Sequence, residues 1–125
     1  YVIGSRGDFK VAANEVALGL TMPRVAAAML EHRLNPAAYQ RAVTVSEYFD
    51  VDSALAAGFF DELVEPGKLA DRASQLAEQY RQLPARAHRD SKRRIRSKLI
   101  RRIRRSIPLD LVDAVLLALR GGKPR

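Results

Sequence analysis

One stretch of the chain decides how the rest is interpreted: Phe9-Lys10-Val11-Ala12-Ala13-Asn14-Glu15-Val16-Ala17-Leu18-Gly19-Leu20-Thr21-Met22-Pro23. Just before and inside it, residues 8–11 alternate between polar and apolar, which is typical of a short half-buried strand. Pro23 occupies the kind of position at which a helix accepts proline, its first residue, N1. The stretch therefore predicts a strand, a loop that carries Glu15, and the start of a helix.

Glu15 is a carboxylate in an apolar setting. Partial burial disfavours the charged form of a carboxylate, so a group in this setting can serve as an acid or a base. The residues alone leave a plainer interpretation open, in which Glu15 is exposed to solvent or caps the helix that begins at Pro23. The neighbours that we expect to bury it are Val16, Leu18 and Leu20.

The composition excludes several classes of protein. The chain has 125 residues, 47% hydrophobic and 29% charged, which is typical of one globular domain. It has no cysteine, and its two histidines, His32 and His88, lie far apart in sequence. We therefore expect no disulfide and no metal site. No apolar run approaches the ~20 residues of a membrane span and no signal peptide opens the chain, so we expect a soluble, cytoplasmic protein. Since the first residue is Tyr1 and not Met, we also expect a segment of a longer protein.

After the first helix, residues typical of helix starts and ends recur along the chain and predict a series of helices. Asn35 and Pro36 are typical N-cap and N1 residues. Asp50 or Asp52 can cap a short helix that Gly58 ends in the left-handed conformation. The predicted elements are helices over 23–34, 36–45 and about 52–57, a strand over 59–64, a helix over 68–82, a basic helix over 81–105, and a last helix from Pro108 to Gly121-Gly122.

The predicted strands are too few to form a sheet that supports all these helices. An isolated pair of strands is marginal, and three or more strands with a covered face are usually needed. Either the fold is nearly all helical, or the other strands of the sheet lie upstream of Tyr1. The coarse prediction is a short strand-and-loop opening followed by a mainly helical region.

The positive charge is concentrated in one segment. Twelve basic residues and one acidic residue lie between Arg81 and Arg105, a net charge of +11, so the remaining hundred residues carry −3. Ile95, Leu99 and Ile103 recur every four residues, which predicts a helix with one narrow apolar stripe. Such a one-signed helix is a solvated or inter-subunit face, or it contacts an anionic partner. It has no interleaved aromatic residues and no recognised nucleic-acid motif, so nucleic acid is not favoured, and a membrane surface stays open as a weaker alternative.

The order of motifs resembles the crotonase, or enoyl-CoA hydratase/isomerase, superfamily. In that family a segment of the form Phe-x-x-x-x-Asn/Pro-Glu-x-x-Leu-Gly carries a catalytic glutamate, and Glu15 falls on it. The resemblance continues through Arg41-Ala42-Val43-Thr44 and through the segment 52–64, which is similar to the family's Ala-x-x-Ala-Gly-Leu-Val-Asp-x-Val. It extends to about Arg96, roughly three quarters of the chain.

The resemblance implies an α/β crotonase-like fold, in which a spiral of ββα units precedes C-terminal helices that trimerise. The family's oxyanion hole, made by two backbone N–H groups, and the hydratases' second glutamate belong to segments upstream of the Glu15 motif. The chain is therefore expected to be a C-terminal half. Residues 1–64 would be the last part of the ββα core, and residues 65–125 the helical oligomerisation region with the basic helix 81–105.

The loop after Glu15 bears on the reaction type. Hydratases usually follow Leu-Gly with Pro-Gly-x-Gly-Gly, whereas here Leu18-Gly19 is followed by Leu20-Thr21-Met22-Pro23 without those glycines. The resemblance is thus closer to the isomerases, which need one base for a 1,3 proton shift, than to the hydratases, which are lyases and use two carboxylates. Either activity implies acyl-CoA thioesters as substrates, a place in fatty acid metabolism, and no cofactor, because coenzyme A is part of the substrate.

The predicted site follows from this resemblance. Glu15 is expected to be the catalytic acid/base, and Lys92 falls where the family often has a lysine before the helix that meets the phosphates of coenzyme A. A homotrimer or hexamer is expected. The alternative is a non-catalytic homologue that serves as a helical oligomerisation or anion-binding module. The residues expected to line the acyl pocket, by their nearness to Glu15 and their apolar character, are Leu20, Met22 and Val25.

Overall fold

The computed structural model describes residues 1–119, and the chain divides into two compact units. One unit combines Tyr1–Val11 with Phe49–Ser97, and the other combines Ala12–Tyr48 with residues 98–119. The predicted division at residue 64 stays a prediction, and the predicted helix end at Gly121-Gly122 lies outside the described residues. The elements are β1 (Ile3–Ser5), α1 (Arg24–Arg33), α2 (Pro36–Val45), α3 (Val51–Ala57), β2 (Glu62–Val64), α4 (Leu69–Arg81) and α5 (Ala85–Leu119).

In the first unit the two strands form a parallel pair. Ile3 is opposite Glu62 and Ser5 is opposite Val64. Gly4, between Ile3 and Ser5, is opposite Leu63. A Cβ atom on Gly4 would lie 2.8 Å from the side chain of Leu63 and 2.9 Å from that of Phe60. A larger residue here would force the side chains of Leu63 and Phe60 to move, so glycine suits this close approach. Parallel strands need a long crossover connection, and the chain between β1 and β2 contains α1, α2 and α3.

The segment that leads into α3 forms the core of the first unit. Phe49 is 1% exposed, and its ring centroid lies 5.4 Å from that of Phe59. Asp50 caps α3 by accepting a 2.8 Å hydrogen bond from the backbone N–H of Ser53. The Ser53 hydroxyl also donates to this carboxylate, and that bond is the main reason why the pKa of Asp50 lies below its usual value. Gly58 ends the helix at φ 102°. The predicted cap and the predicted left-handed glycine are both confirmed.

An ion pair ties β2 to α4. Arg72 donates two hydrogen bonds to Glu62, at 2.6 and 3.0 Å, and the Tyr1 hydroxyl donates a third at 3.0 Å. The guanidinium of Arg72 is the main reason why the pKa of Glu62 lies below its usual value. The Glu62 carboxylate therefore connects Tyr1 at the start of the chain, β2 and α4.

The second unit is built on closely packed small residues. Ala28 of α1 and Ala38 and Ala42 of α2 are almost fully buried, which lets the two helices approach each other closely. Asn35 caps α2 as predicted, with its side chain accepting a 2.8 Å hydrogen bond from the Ala38 N–H. Pro36 occupies N1. The tight connection between α1 and α2 thus follows from local sequence.

Two local predictions near the N-terminus are wrong. The first strand lies at Ile3–Ser5 and not at residues 8–11, because Ile3–Ser5 faces a partner in β2. Val11 instead forms an isolated antiparallel bridge with Phe49, through N–H to oxygen bonds of 2.8 and 2.9 Å. Pro23 is the N-cap of α1 and not its N1 residue, since its ψ of 141° is extended.

The basic and apolar C-terminal segments belong to one helix. Pro108 lies inside α5 and does not start a new helix. Proline inside a helix removes one backbone hydrogen bond without preventing helical φ, and here the helix continues through it. Arg81 is the last residue of α4, so the basic helix begins at Ala85 and not at residue 81. The predicted short strand-and-loop opening followed by mainly helical chain is confirmed.

Candidate functional site

The loop that carries Glu15 is a single helical turn with a defined closure. The Leu20 N–H donates to the Glu15 carbonyl at 2.8 Å, and the Gly19 N–H donates to the Val16 carbonyl at 3.0 Å. Gly19 has φ 75°. This pair of bonds around a left-handed residue is the Schellman arrangement that ends many helices. Glu15 therefore occupies a turn whose backbone is determined by its own hydrogen bonds.

The Glu15 side chain is half-buried, and its carboxylate is incompletely paired. The Oε2 oxygen is shielded from solvent, and no residue within 1–119 donates a hydrogen bond to it. Buried polar atoms without a partner are rare, and a catalytic role is one of the accepted reasons for them. This oxygen can accept a proton without first breaking a hydrogen bond to another group.

The apolar surroundings of Glu15 differ from the prediction. Leu20 is half-buried, but Val16 is 43% exposed and Leu18 is 57% exposed. Successive side chains of a helical turn point in different directions around its axis, so neighbours in sequence do not enclose one another. The expectation that Val16 and Leu18 bury Glu15 is wrong.

The N-terminus of α1 is capped by Asp110 and not by Glu15. The Asp110 carboxylate accepts backbone hydrogen bonds from Arg24 at 3.0 Å and from Val25 at 2.9 Å, and the Arg24 guanidinium pairs with Asp110 and Asp113. The N–H of Val25 is the main reason why the pKa of Asp110 lies below its usual value. The alternative in which Glu15 caps this helix is therefore wrong, and the carboxylate of Glu15 is left for another role.

Sequence reasoning missed the role of Asp110. It lies 86 residues from Arg24, so no local pattern connects the two. The signal available was that Pro23 leaves α1 without a side-chain cap of its own. An uncapped helix start indicates that a distant acceptor is needed, although it does not say which one.

The predicted acyl-lining residues lie in the same unit as Glu15. Leu20, Met22 and Val25 are all half-buried, and Leu20 is bonded to Glu15 through the backbone. Lys92 is exposed on α5 and belongs to the first unit. The roles assigned to these four residues stay predictions.

Other kinds of site find little support in residues 1–119. In this part of the chain, no three His, Cys, Asp or Glu side chains are grouped so that they could hold a metal ion. None of the described helices is both long and apolar enough to cross a membrane.

The surface of α5 changes character along its length. Three of the eleven basic residues between 85 and 105 lie in ion pairs within the described chain, Arg86 and Arg89 with Asp90, and Arg102 with Glu31. After Pro108 most of the exposed residues are apolar, and such a concentration on a surface usually marks an interface. The exposed apolar residues of this last part are Leu109, Leu111, Val112, Val115, Leu116, Leu117 and Leu119. The exposed basic residues are Arg86, Arg89, Lys92, Arg93, Arg94, Arg96, Lys98, Arg101, Arg102, Arg104 and Arg105.

No family model and no curated protein matches the chain, but solved structures do. An enoyl-CoA hydratase from Mycobacterium marinum is 36% identical, with a TM-score of 0.82 over 88% of this chain and 48% of that one. Two structures of one Mycobacterium tuberculosis protein are also similar. One is described as an enoyl-CoA isomerase, 34% identical with a TM-score of 0.82 over 88% of this chain and 48% of that one. The other is described as a probable enoyl-CoA hydratase, 33% identical with a TM-score of 0.84 over 94% and 49%.

The chain spans about half the length of these solved relatives, which is consistent with the predicted C-terminal half. The different descriptions of one relative show that hydratase and isomerase are not separated by the fold. The predicted crotonase-like fold is confirmed at TM-scores above 0.8. The chain belongs to the crotonase, or enoyl-CoA hydratase/isomerase, superfamily.

Proposed function

We propose that the chain supplies the proton-transferring base of an enzyme that isomerises 3-enoyl-CoA thioesters, and that Glu15 is this base. The observation that carries the proposal is the buried Oε2 oxygen of Glu15, which lacks a partner within residues 1–119 on a turn closed by its own backbone bonds. A base needs a lone pair in a fixed place, because proton transfer depends on geometry before it depends on basicity.

The proposed reaction is a 1,3 proton shift. Glu15 removes a proton from C2 of the substrate, and the electron pair of the broken C–H bond is delocalised onto the thioester oxygen. The double bond moves from C3–C4 to C2–C3 as Glu15 returns the proton to C4. No water, oxidant or further acid enters the balance. The enolate oxygen needs hydrogen-bond donors, which in the family lie upstream of the Glu15 motif.

The other parts of the proposal concern binding and assembly. Leu20, Met22 and Val25 would line the acyl pocket, and Lys92 would contact a phosphate of coenzyme A. Because coenzyme A is part of the substrate, the proposed reaction needs no separate cofactor. The exposed apolar end of α5 supports a homotrimer or hexamer, since such surfaces are normally covered in assemblies. We retain the cytoplasm as the proposed compartment.

The test is an isomerase assay on a chimera in which this chain replaces the matched half of the Mycobacterium marinum relative. We expect turnover of a 3-enoyl-CoA, and a loss of about 10²- to 10⁴-fold in kcat when Glu15 is changed to Gln. The matched control is Glu65→Gln, because Glu65 is exposed and its carboxylate pairs with Arg6 in the first unit. A folded chimera without turnover, or one that keeps its rate after Glu15→Gln, would overturn the proposal.

The chain on its own is expected to show no turnover, since the family's oxyanion donors do not accompany Glu15. The measurement is the same assay on the isolated chain. Turnover that Glu15→Gln abolishes would contradict the assignment of these donors to upstream segments.

One observation favours a second candidate function, a non-catalytic module that binds an anionic partner. Eight exposed basic residues of α5 lie in no ion pair within residues 1–119, and unneutralised charge of one sign attracts polyanions. Retention on heparin that falls with salt, combined with no binding of coenzyme A thioesters, would favour this module. Binding of the thioesters at physiological salt would favour the enzyme.

A further inference from the structure

Ser46, directly after α2, has an unusual backbone for its residue type. Its φ of 53° and ψ of 41° are left-handed, and within residues 1–119 no other residue besides glycine has a positive φ. A side chain with a Cβ atom disfavours this conformation, which glycine adopts freely. Ser46 is nevertheless 5% exposed. A strained residue that is also buried indicates that its side chain has a specific task.

The corner at Ser46 and Glu47, where the chain leaves α2, is held by hydrogen bonds to both the backbone and the side chain of Arg41. The N–H groups of Ser46 and Glu47 both donate to the carbonyl of Arg41, the second at 3.2 Å. The Arg41 guanidinium also donates to the Glu47 carboxylate at 2.7 Å. Backbone and side-chain bonds therefore fix the position of the Ser46 hydroxyl.

This hydroxyl contacts the turn that carries Glu15. The backbone N–H of Ala17 donates to Ser46 Oγ at 3.0 Å. Ala17 lies in the first part of a helical turn, where amides have no carbonyl one turn back to bond to. Ser46 thus supplies, from 29 residues away, the acceptor that the Glu15 turn cannot provide for itself.

We propose that Ser46 is a positioning residue whose hydroxyl fixes the orientation of the Glu15 turn through the Ala17 amide. The proposal rests on the proposed function of Glu15 for its catalytic meaning. Glycine would satisfy the backbone of this corner but would leave the Ala17 N–H without its acceptor, so the strain at Ser46 is explained by the hydroxyl.

Two variants separate the hydroxyl from the backbone. Ser46→Ala removes the hydroxyl and keeps the Cβ, whereas Ser46→Gly removes the hydroxyl and relieves the backbone. Ser106→Ala is the control, because Ser106 is the other buried serine among the described residues. We expect Ser46→Gly to be at least as resistant to thermal unfolding as Ser46→Ala. If Ser46→Ala fails to fold, Ser46→Gly carries the test.

The first measurement is amide hydrogen exchange of Ala17 and the carboxyl carbon signal of Glu15, by NMR on the chain itself. Both Ser46 variants are expected to speed exchange at Ala17 about tenfold and to move the Glu15 signal, while Ser106→Ala changes neither. If Ser46→Gly leaves both signals as in the unchanged chain, the inference is overturned, because Ser46 would then serve only the backbone.

The second measurement is kcat and KM of the chimera. Both Ser46 variants should lower kcat about tenfold at an unchanged KM, because misplacement of a base affects the transition state more than binding. An unchanged kcat in a chimera that Glu15→Gln inactivates would overturn the positioning role and leave the proposed function intact. An effect at Ala17 without any effect of Glu15→Gln on kcat would support the contact and overturn the function.

Discussion

The Glu15 turn and the last part of α5 belong to the same unit, but they are completed in different ways. The turn satisfies its backbone through bonds within residues 14–20 and one bond to Ser46. Residues 109–119 of α5 leave seven large apolar side chains exposed. The backbone of the turn is thus held by bonds within this chain, whereas the apolar end of α5 needs a partner to be covered. The position of Glu15 is thus determined by local bonds, independently of what covers the end of α5.

The largest expected effect concerns the apolar end of α5. Leu116→Glu should convert an oligomer into a single chain, about a twofold or larger fall in mass, because a charge disfavours burial in an interface. Ala114→Glu is the control, since helical geometry places Ala114 on the side opposite Leu116 and Leu109. The measurement is light scattering after size exclusion. An unchanged mass for Leu116→Glu would show that this face is not the interface.

The next effect concerns the closure of the Glu15 turn. Gly19→Ala should lower the free energy of unfolding by about 1 kcal/mol, because alanine is strained at a positive φ. Gly67→Ala is the matched control, since Gly67 has φ 80° and open space around it. Chemical denaturation should show similar losses for both variants. Only Gly19→Ala should alter the amide signals of residues 15–20, and equal changes for both would contradict a local role for Gly19.

The smallest effect is the pH dependence that Asp110 contributes. Because bonds from the α1 backbone, that of the Val25 N–H above all, hold the native pKa of Asp110 below its usual value, its stabilisation is complete at pH 7 and is lost as the pH falls through the native pKa. Asp110→Asn should lower Tm at pH 7, and the difference from the unchanged chain should shrink in acid. Asp113→Asn, which leaves the two backbone bonds in place, should have a smaller effect. A difference that grows as the pH falls would contradict this assignment.

The parts of the fold that sequence predicted are those set by neighbouring residues. Asn35, Asp50 and Gly58 act within a few residues of their own position, so capping rules were sufficient. The position of Glu15 on a loop before a helix followed from the motif around it. These features depend on spacing along the chain, which a single sequence displays.

The features that sequence missed depend on distant partners. The Asp110 cap on α1 and the Ser46 bond to Ala17 each join segments far apart in sequence. Pro108 was expected to start a helix, but α5 continues through it into the segment that holds Arg24. The strand at Ile3–Ser5 likewise formed where a pairing partner exists and not where the alternation pattern was clearest. Tertiary contacts decided these cases over local preference.

The role of Glu15 as the only proton carrier is tested by the fate of a label at C2 of the substrate. A 3-enoyl-CoA carrying deuterium at C2 would be isomerised by the chimera, and the product examined by mass spectrometry and NMR. If Glu15 alone removes and returns the proton, part of the deuterium appears at C4 of the product, and Glu15→Gln abolishes the transfer. Product that forms with no deuterium at C4, at a rate that Glu15→Gln leaves unchanged, would contradict the assignment of Glu15 as the base.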